Sequence, residues 1–125
     1  VYQSMAKVSI YKRISDALAT LELPYQEQGT MNKDTLPATF LTYQLLYKGD
    51  VSHADNLPTA SSALVQIALY STDPSIKQSA EGTISEVMFT AGFTRAGGRD
   101  LPYDGDTGHY GYACDFRYHE AEEEE

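Results

Sequence analysis

Three places along the chain hold residues whose types could do chemistry. Asp50, His53 and Asp55 put two carboxylates and an imidazole within a short span, which is the donor set a divalent cation accepts. In an extended strand His53 and Asp55 share a face and Asp50 does not, so the trio aligns too few ligands to repay desolvation of an ion. A solvated turn leading into an edge strand accounts for it. Asp104, Asp106 and His109 resemble a fragment of a calcium loop. The D-x-D-x-D-G order and the closing bidentate glutamate are missing, and turn chemistry explains these residues better. Cys114 falls among aromatic residues at alternate positions, where a small buried hydrophobe is expected and a catalytic thiol is not. Serines and 3 histidines supply the types for a Ser-His-Asp triad. No G-x-S-x-G elbow accompanies them, and no histidine has both an orienting carboxylate and a nucleophile in view. Gly97 and Gly98 follow no strand-to-helix pattern, so they cradle no phosphate. The residues predict a protein that is not an enzyme, with no catalytic group, no cofactor and no functional metal.

Composition narrows the class further. A chain of 125 residues fits one domain with one core. No apolar run approaches the roughly 18 residues of a membrane span, so no membrane role is expected. The 9 Lys+Arg against 18 Asp+Glu give a net charge of −9, and no basic cluster is present to follow a phosphate backbone, so direct nucleic-acid binding is not expected. Glu120 and Glu122 to Glu125 carry part of that charge, and like charges without apolar company predict a disordered acidic tail over 120–125. The single domain is then 1–119. The 1 cysteine rules out an internal disulfide framework and suits a reducing compartment or simple indifference to redox. No basic-then-apolar leader is visible at the start of the sequence.

The elements that would position these residues follow from periodicity. Val8, Tyr11, Ile14, Leu18 and Leu21 recur at helical spacing from about Ser4, the expected N-cap, and Pro24 stops that helix. A polar connection runs to Leu36 with room for a short extended piece. Pro37 opens a β-rich run over Ala38 to Tyr47, and Lys48, Gly49 and Asp50 read as a turn. Val51 to Asn56 reads as a short edge strand, interrupted by Leu57, Pro58 and Thr59. Ser62 to Ser71 alternates strictly, with Ala63, Val65, Ile67 and Leu69 on one face. Asp73 and Pro74 start a second helix whose stripe is Ile76, Ala80, Ile84, Val87 and Met88, and Gly92 ends it. Phe93 to Arg95 begins a strand, Gly97 to Gly108 reads as a long loop, and Tyr110, Tyr112, Cys114, Phe116 and Tyr118 mark a final strand. The fold class is therefore α+β, a mostly antiparallel sheet of four to five strands with two helices packed on it, in the order α-β-(β)-β-α-β-β. The 10 tyrosines, with no tryptophan, supply either interface area or bulk for a thin core.

The ordered landmarks resemble a family. Pro37-Ala38-Thr39-Phe40-Leu41-Thr42-Tyr43, then Ala54-Asp55-Asn56, then Val65 to Ser71 ending in Leu69-Tyr70, then a helix ending in Ala91-Gly92-Phe93, and last His109-Tyr110 to Phe116-Arg117-Tyr118 are similar to the small tail-terminator or tail-completion proteins of long-tailed bacteriophages and prophages. The likeness covers about Val8 to Tyr118 and departs from the family at the acidic end. It implies a structural role without cofactor: a ring of copies, often six, that caps the tail tube and joins the tail to the head. The partners would be the chain itself, the tail-tube protein and head-connector proteins. The location would be the virion tail, reached from the host bacterial cytoplasm during assembly. A neighbouring head-completion protein and a ferredoxin-like ligand-binding or regulatory domain are the alternatives.

A closed ring needs two different surfaces on each copy. One candidate is the expected edge segment with Val51, His53, Asp55, Asn56 and Leu57. The other is the expected loop with Arg99, Asp100, Tyr103, Asp104 and Asp106.

Overall fold

In the computed structural model, which describes residues 9–54 and 57–121, helix α1 spans Ile10–Ala19. Its cap is Ser9, whose hydroxyl accepts from the Tyr11 amide at 3.1 Å, and not Ser4, which lies outside the described residues together with Val8. The reason is position. Ser9 directly precedes Ile10, the first member of the buried stripe Ile10, Ile14, Ala17 and Leu18, whereas Tyr11 stays exposed. The connection after α1 holds a three-residue strand, β1 (Tyr25–Glu27), and one 3-10 turn over Lys33–Thr35 capped by Asn32.

The next two strands form a long hairpin. β2 runs unbroken over Thr39–Ala54 and β3 over Leu57–Ser71. Lys48, Gly49 and Asp50 are therefore strand residues paired with Ala63, Ser62 and Ser61, not a turn. Two things keep the strand going. Bulges near Leu46 and Val51 absorb the breaks in alternation, and the Tyr47 ring lies where a Cβ on Gly49 would stand, so an aromatic shields the glycine. Leu57 and Pro58 likewise belong to β3, opposite Ala54 and His53. β5 reaches β3 only as far as Ala60, so among the described residues Pro58 has a strand neighbour on one side alone, the kind of site that tolerates proline.

The second helical region is split. α2 covers Pro74–Gln78 and α3 covers Ala80–Thr90. Asp73 caps α2 as expected, accepting from the Ser75 amide at 2.9 Å. The Ser79 hydroxyl then donates back to the Ile76 carbonyl at 2.9 Å and tightens the turn. Ile76 is thereby swung out of the expected stripe and left 38% exposed, while Ala80, Ile84 and Met88 are fully buried. Gly92, at φ 98°, closes α3 by donating to the Phe89 carbonyl at 3.0 Å, and Phe93 donates to Met88 at 2.9 Å.

β4 occupies Thr94–Asp104 and β5 occupies His109–Ala121. The expected loop of 97–108 is thus mostly strand, and only 105–108 turn. Gly98 is covered by the Tyr112 ring and Gly111 by the Tyr70 ring, so these glycines are places where aromatics cross the sheet. β5 also continues through Glu120 and Ala121, two residues past the expected domain boundary.

The five strands form one sheet in the order β1-β2-β3-β5-β4. All pairs are antiparallel except β1 with β2, which is parallel. α1 and α3 pack on one face. There Ile14, Leu18, Ile84 and Met88 meet Leu41, Val65, Ile67, Leu69, Cys114 and Phe116, all at most 2% exposed. Among the described residues no helix is long and apolar enough to cross a membrane.

Candidate interaction surfaces

The residues expected to form interfaces do not converge. Val51 and His53 sit near the end of β2 and Leu57 at the start of β3, at the far tip of the long hairpin. Asp55 and Asn56 lie outside the described residues. Arg99, Asp100, Tyr103 and Asp104 are on β4, and Asp106 is in the turn that follows. Asp104 pairs with His109, beside Tyr110, which pairs with Ser71. That is the end of the sheet opposite the hairpin tip, so the two groups are separate surfaces.

Several charged groups near β4 have a local partner. Asp100 takes the Lys77 ammonium at 3.0 Å, and Arg99 stands 3.7 Å from Asp115. Arg95 Nε donates to Glu81 at 2.8 Å. The Tyr112 hydroxyl donates to the other Glu81 oxygen at 2.9 Å, and this bond, with some burial, holds the phenol above its ordinary pKa. The Asp104 carboxylate accepts from the Asp106 amide at 2.9 Å, and its backbone carbonyl accepts from Gly108 at 2.7 Å, so Asp104 shapes a turn. Burial pushes the Cys114 thiol up to about 11, which makes it unreactive at neutral pH.

The described surface carries several concavities, among them a groove and a cavity. A groove of about 600 Å³ between α1 and α3 is lined by Arg13, Asp16, Thr20, Glu86, Val87 and Thr90. A cavity of about 260 Å³ on the helix-free face is lined by Gln28, Met31, Leu36, Phe40, Thr42 and His109, among others. Two polar groups of the second are engaged within the chain, while His109 Nδ1 is buried with no hydrogen-bond partner among the described residues. Thr42 donates to Gln28 at 3.1 Å, and a ring nitrogen of His109 lies 2.8 Å from the Pro37 carbonyl oxygen. Among the described residues no three His, Cys, Asp or Glu side chains are grouped to hold a metal ion.

The open edges of the sheet stand out more than its concavities. β1 pairs only with Leu41, Thr42 and Tyr43, so from Gln44 onward β2 has, among the described residues, no strand on its outer side. β4 is the other edge. Both carry exposed apolar side chains: Leu46 at 40% and Tyr47 at 59% on β2, and Tyr103 at 55% on β4. No protein-family model matches the chain, and no curated protein matches it. Leu46 and Tyr47 are the residues that sequence reasoning missed. Their signal was present: consecutive Leu45 and Leu46 break the alternation, which marks a bulge and turns an apolar side chain outward.

Proposed function

We propose that this chain is a structural protein of a long-tailed bacteriophage or prophage that caps the tail tube and helps join the tail to the head, acting as a ring of copies. The observation that carries the reading is the pair of dissimilar open sheet edges, β2 beyond Tyr43 and β4, on one small domain. An edge strand offers unpaired backbone groups to a neighbour, and two different edges on one copy are what a head-to-tail ring requires. The order of landmarks from Val8 to Tyr118 supports the same reading. The partners are further copies, the tail-tube protein and head connectors, and the place of action is the virion tail.

The test is to mix the purified chain with tail tubes lacking their terminator and to look for end caps by electron microscopy. Caps at one tube end are expected. Folded protein that never associates with tubes would overturn the assignment. Binding to tail-less heads instead would make it a head-completion protein, and binding of a small molecule in the cavity beside His109 would make it a ligand-binding domain.

A further inference from the structure

The two open edges fit each other. β2 is antiparallel to β3, β3 to β5 and β5 to β4, so β2 and β4 point in opposite directions across the sheet. A second copy set beside the first in the same orientation brings its β2 antiparallel to the β4 of its neighbour. The lengths agree: β4 has 11 residues, as does the open stretch from Gln44 to Ala54. Between their bulges, β2 offers Tyr47-Lys48-Gly49 and β4 offers Arg99-Asp100-Leu101.

The side-chain faces agree as well. Lys48 lies beside Ala63, and Asp100 beside Tyr112, both on the helix-covered face. Tyr47 lies beside Leu64, and Leu101 beside Gly111, both on the helix-free face. One register puts Lys48 opposite Asp100, Tyr47 opposite Leu101 and Gly49 opposite Arg99. A slip by one residue would put these partners on opposite faces. The matched register joins an exposed cation to a carboxylate that is 66% exposed even while it holds Lys77. It sets Arg99 over the Tyr47 ring where that ring covers Gly49. Pro102, which cannot donate, then falls opposite the bulge residue Leu46, outside the paired block.

We propose that a second copy of this chain docks its β2 edge on the β4 edge, antiparallel with Lys48 opposite Asp100, so that the sheet continues from copy to copy. Each copy uses one edge on either side, which makes the contact heterologous. The pairing rests on the ring reading only for what the chain of copies closes into.

Sedimentation of the full chain over a concentration series tests the pairing. Lys48→Glu and Asp100→Lys are each expected to weaken self-association about tenfold, and the double variant to return within about threefold of the unaltered chain. Losses that add without rescue overturn the register, because damage to the Lys77 contact alone would not be repaired by Lys48→Glu. A second measurement stays decisive where a charge variant misfolds. Tyr47→Cys and Leu101→Cys together are expected to give a ladder of disulfide-linked oligomers on oxidation, while either alone gives no species beyond a dimer. The buried Cys114 stays out of the exchange. No ladder at millimolar chain overturns the pairing, and if that chain still caps tubes the terminator reading stands. A ladder from protein that never caps tubes overturns the terminator reading and leaves the pairing.

Discussion

The two halves of the β2-β3 hairpin show how one pair of strands can serve two purposes. In the near half, Leu41 faces Leu69, and Ile67 and Val65 follow, under α1 and α3, with exposures of 2% or less. In the far half, β2 turns Leu46 and Tyr47 outward at 40% and 59%, and β1 no longer covers its edge. Backbone pairing continues through both halves. What changes is the cover: helices and a short parallel strand at one end and, among the described residues, an open edge at the other. Stability is therefore concentrated in the near half, and surface available to a neighbour in the far half.

The largest expected effect lies in the near half. Ile84→Ala removes a fully buried side chain from the layer between α3 and the sheet, and a cost of about 2–5 kcal/mol is expected. Chemical denaturation reads it as a lower midpoint, and an unchanged midpoint would show that the helix layer contributes little.

Alkaline pH probes the same layer from the sheet side. The Cys114 thiol, raised by burial from 9.0 to about 11, is held neutral in the folded chain. Unfolding frees it to ionise at the lower value, so its contribution is fully present below about pH 9 and is lost as pH rises towards about 11. Tyr70 and Tyr112, also raised, add to the same slope. Comparing melting curves of the unaltered chain and Cys114→Ala over that range is expected to show a shallower decline in the variant. Identical slopes would mean that the thiol does not feel its burial.

How much of this was legible in the sequence also divides along the two halves. The near half is written in local periodicity: Ile14 and Leu18, Ile84 and Met88, Val65, Ile67 and Leu69, and Cys114 and Phe116 all recur at the spacing of their element and all lie in the core. The far half and β4 read as turn and loop because glycine looks like a turn until a tyrosine covers it, Tyr47 for Gly49 and Tyr112 for Gly98. Gly98 is shielded by Tyr112 from the adjacent strand, a fact that no window of neighbouring residues contains. Ile76 was misplaced for a smaller reason, the Ser79 hydroxyl bonding back to its carbonyl. Of the candidate interface residues, Arg99, Asp100 and Tyr103 are expected in a loop and stand on an edge strand. Leu46 and Tyr47 went unnoticed because the strand was expected to end there.

Between the two halves in expected effect comes Tyr112→Phe. It deletes the bond donated to Glu81, which keeps Arg95 as a partner and so is not left unsatisfied. A loss of about 1 kcal/mol is expected in denaturation. A loss several times larger would mean that the Tyr112, Glu81 and Arg95 group holds α3 on the sheet as a unit, and would weaken the contrast between a packed core and a lightly held edge.

The smallest effect on stability is expected where the effect on association is largest. Tyr47 is 59% exposed, and its ring rests over Gly49 with no cover from a helix. Tyr47→Ser removes that ring from the open edge while leaving the buried layer intact, so the denaturation midpoint should move by no more than about 0.5 kcal/mol equivalent. Self-association should fall, because the same ring is the apolar contact opposite Leu101 and the platform for Arg99 in the paired edge. The two readouts must separate. A variant that loses several kcal/mol of stability would show that the ring braces the hairpin of its own chain. A variant unchanged in both measurements would show that the Tyr47 ring is neither brace nor contact.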